Sequence, residues 1–524
     1  MRSNALFLLA ITLSCVSHAQ PTFEKFYGTG TSSNFNCQEL SSGNLFVGLG
    51  CGHGVSRLDS QGNVIQTHCY MPNPMARITS MRRQDENSYA FATSYHMGNC
   101  SILRFVPAIG RMDTLGNIMD YKYYDFGEGC RFGTGDLIVT SDTSIITWGS
   151  DTSFFAIKVN SDLEGIWGKR FNRHGGFQFI KELPGGDLLA GINMDTAGAV
   201  VARLDAGGNF IWCKSYIRPK GMVNDAIIES DDSFIITGFT DSINTSIFEP
   251  LPSTFQPKLF MMKLNGDGEV DWCRGYDSSP NDWYTPQMFR TIKTTDGNYM
   301  VLATLGYPGY NFFFRPLLMK TDQNGDTLWT RSVGRSQYDL FAMNLLECSD
   351  KGLLLSGYMW GNLPGGNSSA AYLFKADSLG HFPCWERTYT VQISDLFPTD
   401  SSFTLTSTDG LVAHPAIAND TIFPFSAYDG CTFTTGIPDQ SRSRPKPTVR
   451  PNPTPGRFTV EFQDPLVKDT YYSVYDTMGK LLFQRAAAHG KKTEEVDLTG
   501  YSKGTYVIRF TDPEGACYER VVVE

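Results

Sequence analysis

The chain has 524 residues, 54 of them acidic and 44 basic, and a formal net charge of −10 at pH 7. Its basic residues form no block, which argues against nucleic acid or an anionic membrane surface as a partner. It contains 51 glycines, 36 phenylalanines and 24 tyrosines, and Gly, Asn and Asp interrupt its many short apolar runs. This composition favours an all-β protein, built of several domains or of one large repeat array.

Residues 1–19 have the features of a signal peptide. A basic lead containing Arg2 precedes an apolar run over residues 5–16, and small residues follow it. The run is too short to span a bilayer. Lipoprotein processing at Cys15 is the less favoured alternative, because a threonine stands where a lipobox has leucine. We therefore expect export to the periplasm and a mature chain that begins near Gln20.

Residues 20–390 repeat one pattern, a tight turn with a strand on either side. Asp or Asn opens the turn and caps nearby backbone N–H groups, and Gly supplies the positive φ that a tight hairpin needs. The opening residues recur at intervals of 45 to 60 residues and are Asp59, Asp113, Asn160, Asp205, Asn265, Asp322 and Asp377. A second polar hairpin followed by an apolar strand precedes these turns, so each repeat supplies four strands.

A four-stranded sheet cannot bury both of its apolar faces alone, so such repeats stack and close into a ring. We predict a seven-bladed β-propeller in which residues 23–28 supply the last strand of the final blade. An irregular eighth unit at residues 391–410 is the alternative. An aromatic residue follows each later turn, and we expect these aromatic residues to pack between neighbouring blades; they are Trp167, Trp212, Trp272, Trp329 and Trp385. The turn spacing fits neither a sialidase Asp-box nor an EF-hand, and we expect no metal and no cofactor.

A Thr- and Ser-rich tail, residues 391–435, follows the repeats, and residues 436–448 have the composition of a linker. Cys384 and Cys431 enclose a Thr- and Ser-rich stretch that covers most of this tail, and the stretch resembles the Cys-bracketed tail that follows such repeats in secreted proteins. The resemblance implies a disulfide between them, and the alternative is two unrelated buried thiols.

Eleven of the 12 cysteines remain once Cys15 is removed. Because this number is odd, we expect one free thiol in an oxidising compartment. Cys213 and Cys273 are expected not to bond, since equivalent outer strands of neighbouring blades diverge.

Four motifs follow one another in residues 449–524. They comprise Pro451, Asn452, Pro453 and Gly456, then Tyr475, Asp476 and Gly479, then Gly504 and Tyr506, and a charged and apolar end at 520–524. In this order they resemble the type A sorting domain of type IX secretion cargo. Apolar and polar residues alternate in this region, which predicts a small β-sandwich. A generic immunoglobulin-like adhesion module, the alternative, would not carry all four motifs.

The resemblance implies a secreted or outer-surface protein that passes through the periplasm. It implies two transport partners, the Sec translocon and the type IX secretion machinery. In the family the sorting domain is removed, and surface lipopolysaccharide can be joined to the cargo.

The function of the repeat body is open between two classes. The sequence contains no G-x-S-x-G, H-E-x-x-H or P-loop motif, which favours a module that binds an extracellular glycan, peptide or protein. A hydrolase whose residues converge at the ring axis is the alternative. We expect the long loops opposite the Asp/Gly turns to form the binding face through their aromatic residues, Phe248, Trp283, Tyr284, Tyr307, Tyr310 and Trp360.

Overall fold

The computed structural model divides the chain into two compact units, Met1–Thr434 and Thr435–Glu524. The structure describes residues 22–28, 37–48, 54–70, 75, 78–97, 104–126, 133–150, 153–171, 173–194, 198–216, 221–229, 232–240, 258–278, 283–307, 313–335, 338–361, 369–416, 420–422, 427–429, 448–462, 465, 470–476, 481–487, 489–512 and 515–524. The predicted signal peptide, residues 1–19, lies outside this set. In the described part of the chain, no helix is long and apolar enough to cross a membrane.

The first unit, called the body below, contains seven antiparallel sheets, and these are the predicted blades. Strand β1 (Phe23–Tyr27) opens the chain. Blade 1 consists of β2 (Cys37–Glu39), β3 (Leu45–Val47), β4 (Gly54–Leu58) and β5 (Val64–Tyr70). Blade 2 consists of β6 (Ser80–Arg83), β7 (Ser88–Met97), β8 (Arg104–Asp113) and β9 (Ile118–Asp125). Blade 3 consists of β10 (Gly133–Val139), β11 (Ile145–Ser150), β12 (Phe154–Val159) and β13 (Gly165–Phe171). Blade 4 consists of β14 (Gly176–Glu182), β15 (Leu188–Met194), β16 (Gly198–Leu204) and β17 (Phe210–Tyr216).

The remaining three blades complete the ring. Blade 5 consists of β18 (Met222–Ile228), β19 (Phe234–Phe239), β20 (Leu259–Leu264) and β21 (Val270–Asp277). Blade 6 consists of β22 (Trp283–Lys293), β23 (Tyr299–Tyr307), β24 (Phe313–Thr321) and β25 (Thr327–Val333). Blade 7 consists of β26 (Asp339–Glu347), β27 (Leu353–Trp360), β28 (Ser369–Ala376) and β1. Each blade's first strand contacts the first strand of the next blade, and β26 contacts β2, so the first strands surround the ring axis.

Strand β1 closes the ring as predicted, because it pairs antiparallel with β28 from Phe23 opposite Lys375 to Tyr27 opposite Ala371. The N-terminal strand thus completes the last blade. The ring is therefore held shut by hydrogen bonds between the two ends of the repeat array.

Residues 391–410, all of which the structure describes, form no eighth blade. Residues 385–429, called the belt below, add a fifth, outermost strand to every sheet. The belt strands are β29 (Glu386–Thr388), β30 (Gln392–Asp395), β31 (Ser401–Ser402), β32 (Thr408–Asp409), β33 (Val412–Pro415), β34 (Asp420–Ile422) and β35 (Ala427–Asp429). They pair in that order with the outer strands of blades 6, 5, 4, 3, 2, 1 and 7. The four-stranded repeat was predicted, but the fifth strand was not.

The recurring turns have the predicted chemistry. In the first turn, Asp59 Oδ1 accepts hydrogen bonds from the backbone N–H groups of Gln61 and Asn63 at 2.9 and 2.8 Å. Gly62 has a φ of +78°. In the third turn Leu163 takes this conformation with a φ of +61°, which explains why the glycine of that repeat comes late. The side-chain caps and the left-handed residue fix the hairpins that define each blade.

Apolar residues of adjacent blades pack into seven clusters, one in each of the gaps, or seams, between blades. Four tryptophans extend this packing onto the next blade's turn, with Trp167, Trp212, Trp272 and Trp329 lying against Gly208, Gly268, Gly325 and Gly380. Phe23 occupies the same position against Gly62. Trp385 is buried between blades 6 and 7. The prediction that these aromatic residues pack between blades is confirmed.

The second unit contains two antiparallel sheets. Its strands are β36 (Thr448–Arg450), β37 (Arg457–Glu461), β38 (Tyr471–Asp476), β39 (Leu481–Ala486), β40 (Thr493–Asp497), β41 (Gly504–Asp512) and β42 (Gly515–Val523). One sheet has the order β36-β37-β40 and the other the order β39-β38-β41-β42. Phe458 and Val460 of the first sheet share one core with Val474 and Ile508 of the second.

The expectation of a single free thiol is wrong. Cys37, Cys213, Cys273 and Cys348 are all free and buried. Burial raises the pKa of the Cys213 and Cys273 thiols to about 12, which keeps both protonated and unreactive. The predicted absence of a bond between these two residues is confirmed.

Candidate functional site

The hairpins within each blade define two ends of the ring. The tight Asp/Gly turns lie at one end, called the turn face. The ends of β23 and β27 and the starts of β22 and β26 lie at the opposite end, called the loop face. Trp283 and Tyr284 begin β22, Tyr307 ends β23 and Trp360 ends β27. The structure therefore gathers four of the predicted binding residues on the loop face of blades 6 and 7, which are neighbours.

Trp360 is the predicted residue whose surroundings are described in most detail. Its side chain is 44% exposed. It meets Phe341 edge to face at 5.5 Å between ring centroids and lies 5.7 Å from Tyr358. Phe341 in turn stacks on Tyr358 and contacts Phe314, both at 4.6 Å. An exposed indole thus rests on a floor of packed aromatic rings.

A carboxylate stands at the edge of this aromatic group. Asp339 begins β26, opposite Trp360 in the strand register, and its Oδ1 accepts a hydrogen bond from the Phe314 backbone N–H at 3.0 Å. Burial raises the pKa of Asp339 above its usual range, against the effect of this hydrogen bond. Aromatic faces bordered by such a polar group suit sugar rings and peptide side chains. Tyr310 and Phe248 lie outside the described residues.

Charged residues cluster at the ring axis, a site that the sequence did not identify residue by residue. Asp136 of blade 3 binds Arg82 of blade 2 at 3.0 Å and Arg290 of blade 6 at 2.9 Å. The Ser80 hydroxyl also donates to Asp136. Burial opposes ionisation of Asp136, but the two guanidinium groups and the hydroxyl outweigh it and hold its pKa well below the usual range. Arg290 thereby connects blades that are not neighbours.

The negative charge of a second carboxylate near the ring axis is also balanced by a basic side chain. Asp225 of blade 5 binds Lys181 of blade 4 at 2.9 Å and accepts a hydrogen bond from the Thr291 backbone N–H of blade 6 at the same distance. These contacts link three successive blades. Among the described residues, no group of three or more His, Cys, Asp or Glu side chains is arranged to hold a metal ion.

The first sorting motif holds the last strand of the second unit in place. Asn452 donates to the Arg520 carbonyl at 2.7 Å and accepts from the Val522 N–H at 2.9 Å. Gly456 has a φ of +116°, and an added Cβ would lie 3.0 Å from the Thr499 backbone. Pro451 and Pro453 flank Asn452 and are exposed. The motif therefore shapes a turn whose central amide pairs with β42.

The later motifs lie on neighbouring strands of the second sheet. Tyr475 and Asp476 of β38 pair with Val507 and Tyr506 of β41. Tyr506 is buried, and its hydroxyl donates to the Ser502 carbonyl at 2.5 Å. Gly504 opens β41, and Gly479 lies outside the described residues.

The predicted disulfide is described at one end. Cys384 is disulfide-bonded, as is Cys69, and the partners of both lie outside the described residues. Cys431 is itself outside that set. The pairing of Cys384 with Cys431 therefore remains a prediction.

Sequence reasoning missed a set of tyrosines that join adjacent blades. Each donates its hydroxyl to a backbone carbonyl in the next blade's turn at 2.5 to 2.8 Å, and they are Tyr27, Tyr70, Tyr124, Tyr216 and Tyr276. The last four stand eleven residues after the Asp or Asn that opens their own blade's turn. That constant spacing was the available signal.

Residues 448–524 match the family described as the secretion system C-terminal sorting domain. No curated protein sequence matches the chain. Two solved structures of proteins of unknown function resemble it at low similarity. One, from Bacteroides caccae, is 10% identical with a TM-score of 0.34 and covers 59% of this chain and 93% of its own. The other, from Dyadobacter fermentans, is 12% identical with a TM-score of 0.33 and covers 68% and 96%.

Proposed function

We propose that this chain, which a type IX secretion sorting domain directs to the cell surface or the medium, is an extracellular binding or adhesion protein. The ligand is a glycan, a peptide or a protein, and it binds the loop face of blades 6 and 7. The observation that supports this proposal is Trp360, an exposed ring supported by Phe341 and Tyr358. Rings held rigidly in this way lose little conformational entropy when a ligand covers them.

The charge arrangement at the axis supports binding over hydrolysis. A glycoside hydrolase commonly uses a carboxyl group that donates a proton to the leaving group. Asp136 is held ionised by Arg82 and Arg290, so it does not supply that proton. Asp225 is engaged by Lys181. The axial residues act in this proposal as a brace across the ring.

The proposal also includes one step before surface export and one step after it. The chain crosses the inner membrane through the Sec translocon, guided by residues 1–19. After removal of the sorting domain, surface lipopolysaccharide is joined to the body. The first step follows from the signal-peptide features of residues 1–19, and the second follows from the resemblance of residues 449–524 to sorting domains of type IX cargo.

The test is Trp360→Ala in the full chain, assayed on glycan and peptide arrays and by adhesion of whole cells. Removing a central aromatic contact should weaken binding at least about tenfold. Because Trp360 is partly exposed, the melting temperature should change little. The matched control is Leu115→Ala, which removes a side chain of similar exposure, 47%, on the turn face and should leave binding intact. Unchanged binding by Trp360→Ala would remove blades 6 and 7 from the proposed site.

A further inference from the structure

The belt makes one complete circuit of the ring. It starts beside blade 7, pairs with blades 6 to 1 in reverse chain order, and ends on blade 7 at β35. Its strands are only two to four residues long. Extended at roughly 3.3 Å per residue, the belt spans about 150 Å. The belt is therefore long enough to run around the outer rim and to add one short strand to each of the seven blades.

The belt inserts apolar side chains into all seven seams. One or two belt residues join each cluster, namely Trp385 between blades 6 and 7, Tyr389 and Val391 between 5 and 6, Leu396 between 4 and 5, Phe403 and Leu405 between 3 and 4, Leu411 and Ala413 between 2 and 3, Ala416 between 1 and 2, and Ala427 between 7 and 1. Separation of any two blades would expose these side chains along with the blade cores. The belt therefore opposes the opening of every seam.

Charge sets the register of the belt on the rim. A basic residue of the fourth strand pairs with an acidic belt residue in five blades, through Lys25–Asp429, Lys169–Asp409, Lys214–Asp400, Arg274–Asp395 and Arg331–Glu386. The partners recur at matching positions of the repeat. Exposed pairs of this kind contribute little stability individually, but together they select one alignment of the belt.

The two ends of the belt meet on strand β1. At the start, Glu24 Oε1 accepts hydrogen bonds from the backbone N–H groups of Cys384 and Trp385 at 3.1 and 2.9 Å. At the finish, Asp429 pairs with Lys25, the next residue of β1. Cys384 is disulfide-bonded, and Cys431 follows Asp429 by two residues.

We propose that a disulfide between Cys384 and Cys431 closes the belt into a covalent hoop around the ring, and that this hoop blocks the separation of blades. Closure oxidises two thiols to one disulfide. A protein disulfide in the exported compartment accepts the two electrons and two protons and becomes a dithiol. Once closed, the hoop has to stretch or break its strand pairings before any seam opens, so its main effect is on the rate of unfolding.

The test compares unfolding rates in guanidinium for the full chain. Non-reducing peptide mapping should recover Cys384 linked to Cys431, and the variant Cys431→Ser should unfold at least about tenfold faster than the native chain. Reducing the folded native chain should give the same acceleration if the variant fails to accumulate. Cys213→Ser, which alters a buried free thiol, is the matched control and should still respond to reductant. Reductant applied to Cys431→Ser measures the separate contribution of the Cys69 disulfide.

A protease site inserted between Ser402 and Thr408 distinguishes a hoop from a local cross-link. Cleavage there opens the circuit and leaves the disulfide intact, so the unfolding rate should rise as it does on reduction. An unchanged rate after cleavage would overturn the proposal. It would also be overturned if Cys384 were linked to a different cysteine, or if reduction left the rate unchanged.

Discussion

Glu24 is a buried carboxyl group at the point where the belt begins. It lies on β1, and its Oε1 accepts hydrogen bonds from the backbone N–H groups of Cys384 and Trp385. Burial raises its pKa to about 7, and the two backbone hydrogen bonds and Arg335 offset this only in part. The folded state therefore holds a proton that the unfolded chain releases at lower pH.

This raised pKa predicts how stability depends on pH. Between pH 4.5 and about 7 the folded state binds more protons at Glu24 than the unfolded state, so its contribution falls as pH rises through this window. A shift of this size corresponds to about 3 kcal/mol. Glu24→Gln keeps the acceptor oxygen and removes the charge, so it should stabilise the chain at pH 8 and have little effect at pH 4.

Thermal unfolding of Glu24→Gln and native chain at pH 4 and pH 8 measures this effect. The control is Glu182→Gln, whose carboxylate accepts the backbone N–H and the hydroxyl of Ser141. That variant loses charge-assisted hydrogen bonds and should not gain stability at pH 8. An equal response of the two variants to pH would contradict the role of Glu24.

Between elements, the tyrosines that reach the next blade's turn join the fourth strand of one blade to a hairpin of another. Tyr124 of β9 donates to the Leu163 carbonyl at 2.8 Å, and its ring is buried. At the equivalent position of blade 3 stands Phe171, so a ring without a hydroxyl fits the seam. The hydrogen bond and the ring packing can therefore be separated by substitution.

Tyr124→Phe should lower the free energy of unfolding by about 1 kcal/mol, because it removes a buried hydrogen bond and leaves a carbonyl without its donor. Tyr372→Phe is the matched control, since the Tyr372 hydroxyl is buried without a hydrogen-bond partner in the described structure. Its removal should be neutral or stabilising. Equilibrium urea unfolding compares the two, and an equal cost for both variants would argue that only ring packing matters.

Sequence patterns predicted those elements whose determinants are local. The Asp59 and Asp322 turns carry their own capping groups, so the repeat and the seven blades followed from them. The closing role of β1 followed from its likeness to the last strand of a repeat. The belt did not, because two-residue strands such as β31 have no periodicity, and their partners lie almost two hundred residues away in β17. The axial group was missed for a related reason, since Arg290 and Asp136 are 154 residues apart.

At the scale of the whole molecule, the proposed binding face and the sorting motifs lie in different units. Among the described residues, the seam clusters of the body extend no further along the chain than Ala427, and the core of the second unit begins at Val449. The body therefore has a complete core of its own, including the belt. The sorting motifs, by contrast, are confined to the second unit, where Asn452 fixes the final strand.

Deleting residues 449–524 should accordingly leave a folded body that accumulates in the periplasm. Its melting temperature should match that of the body transition in the full chain, because no seam residue is removed. Cell fractionation and protease accessibility of intact cells locate the protein. Trp360→Ala in the full chain serves as the control, because it alters the proposed binding face and keeps the sorting domain, and it should reach the exterior. If the truncated chain also reached the exterior, export would not depend on residues 449–524, and if it were degraded unfolded, the body would need the second unit to fold.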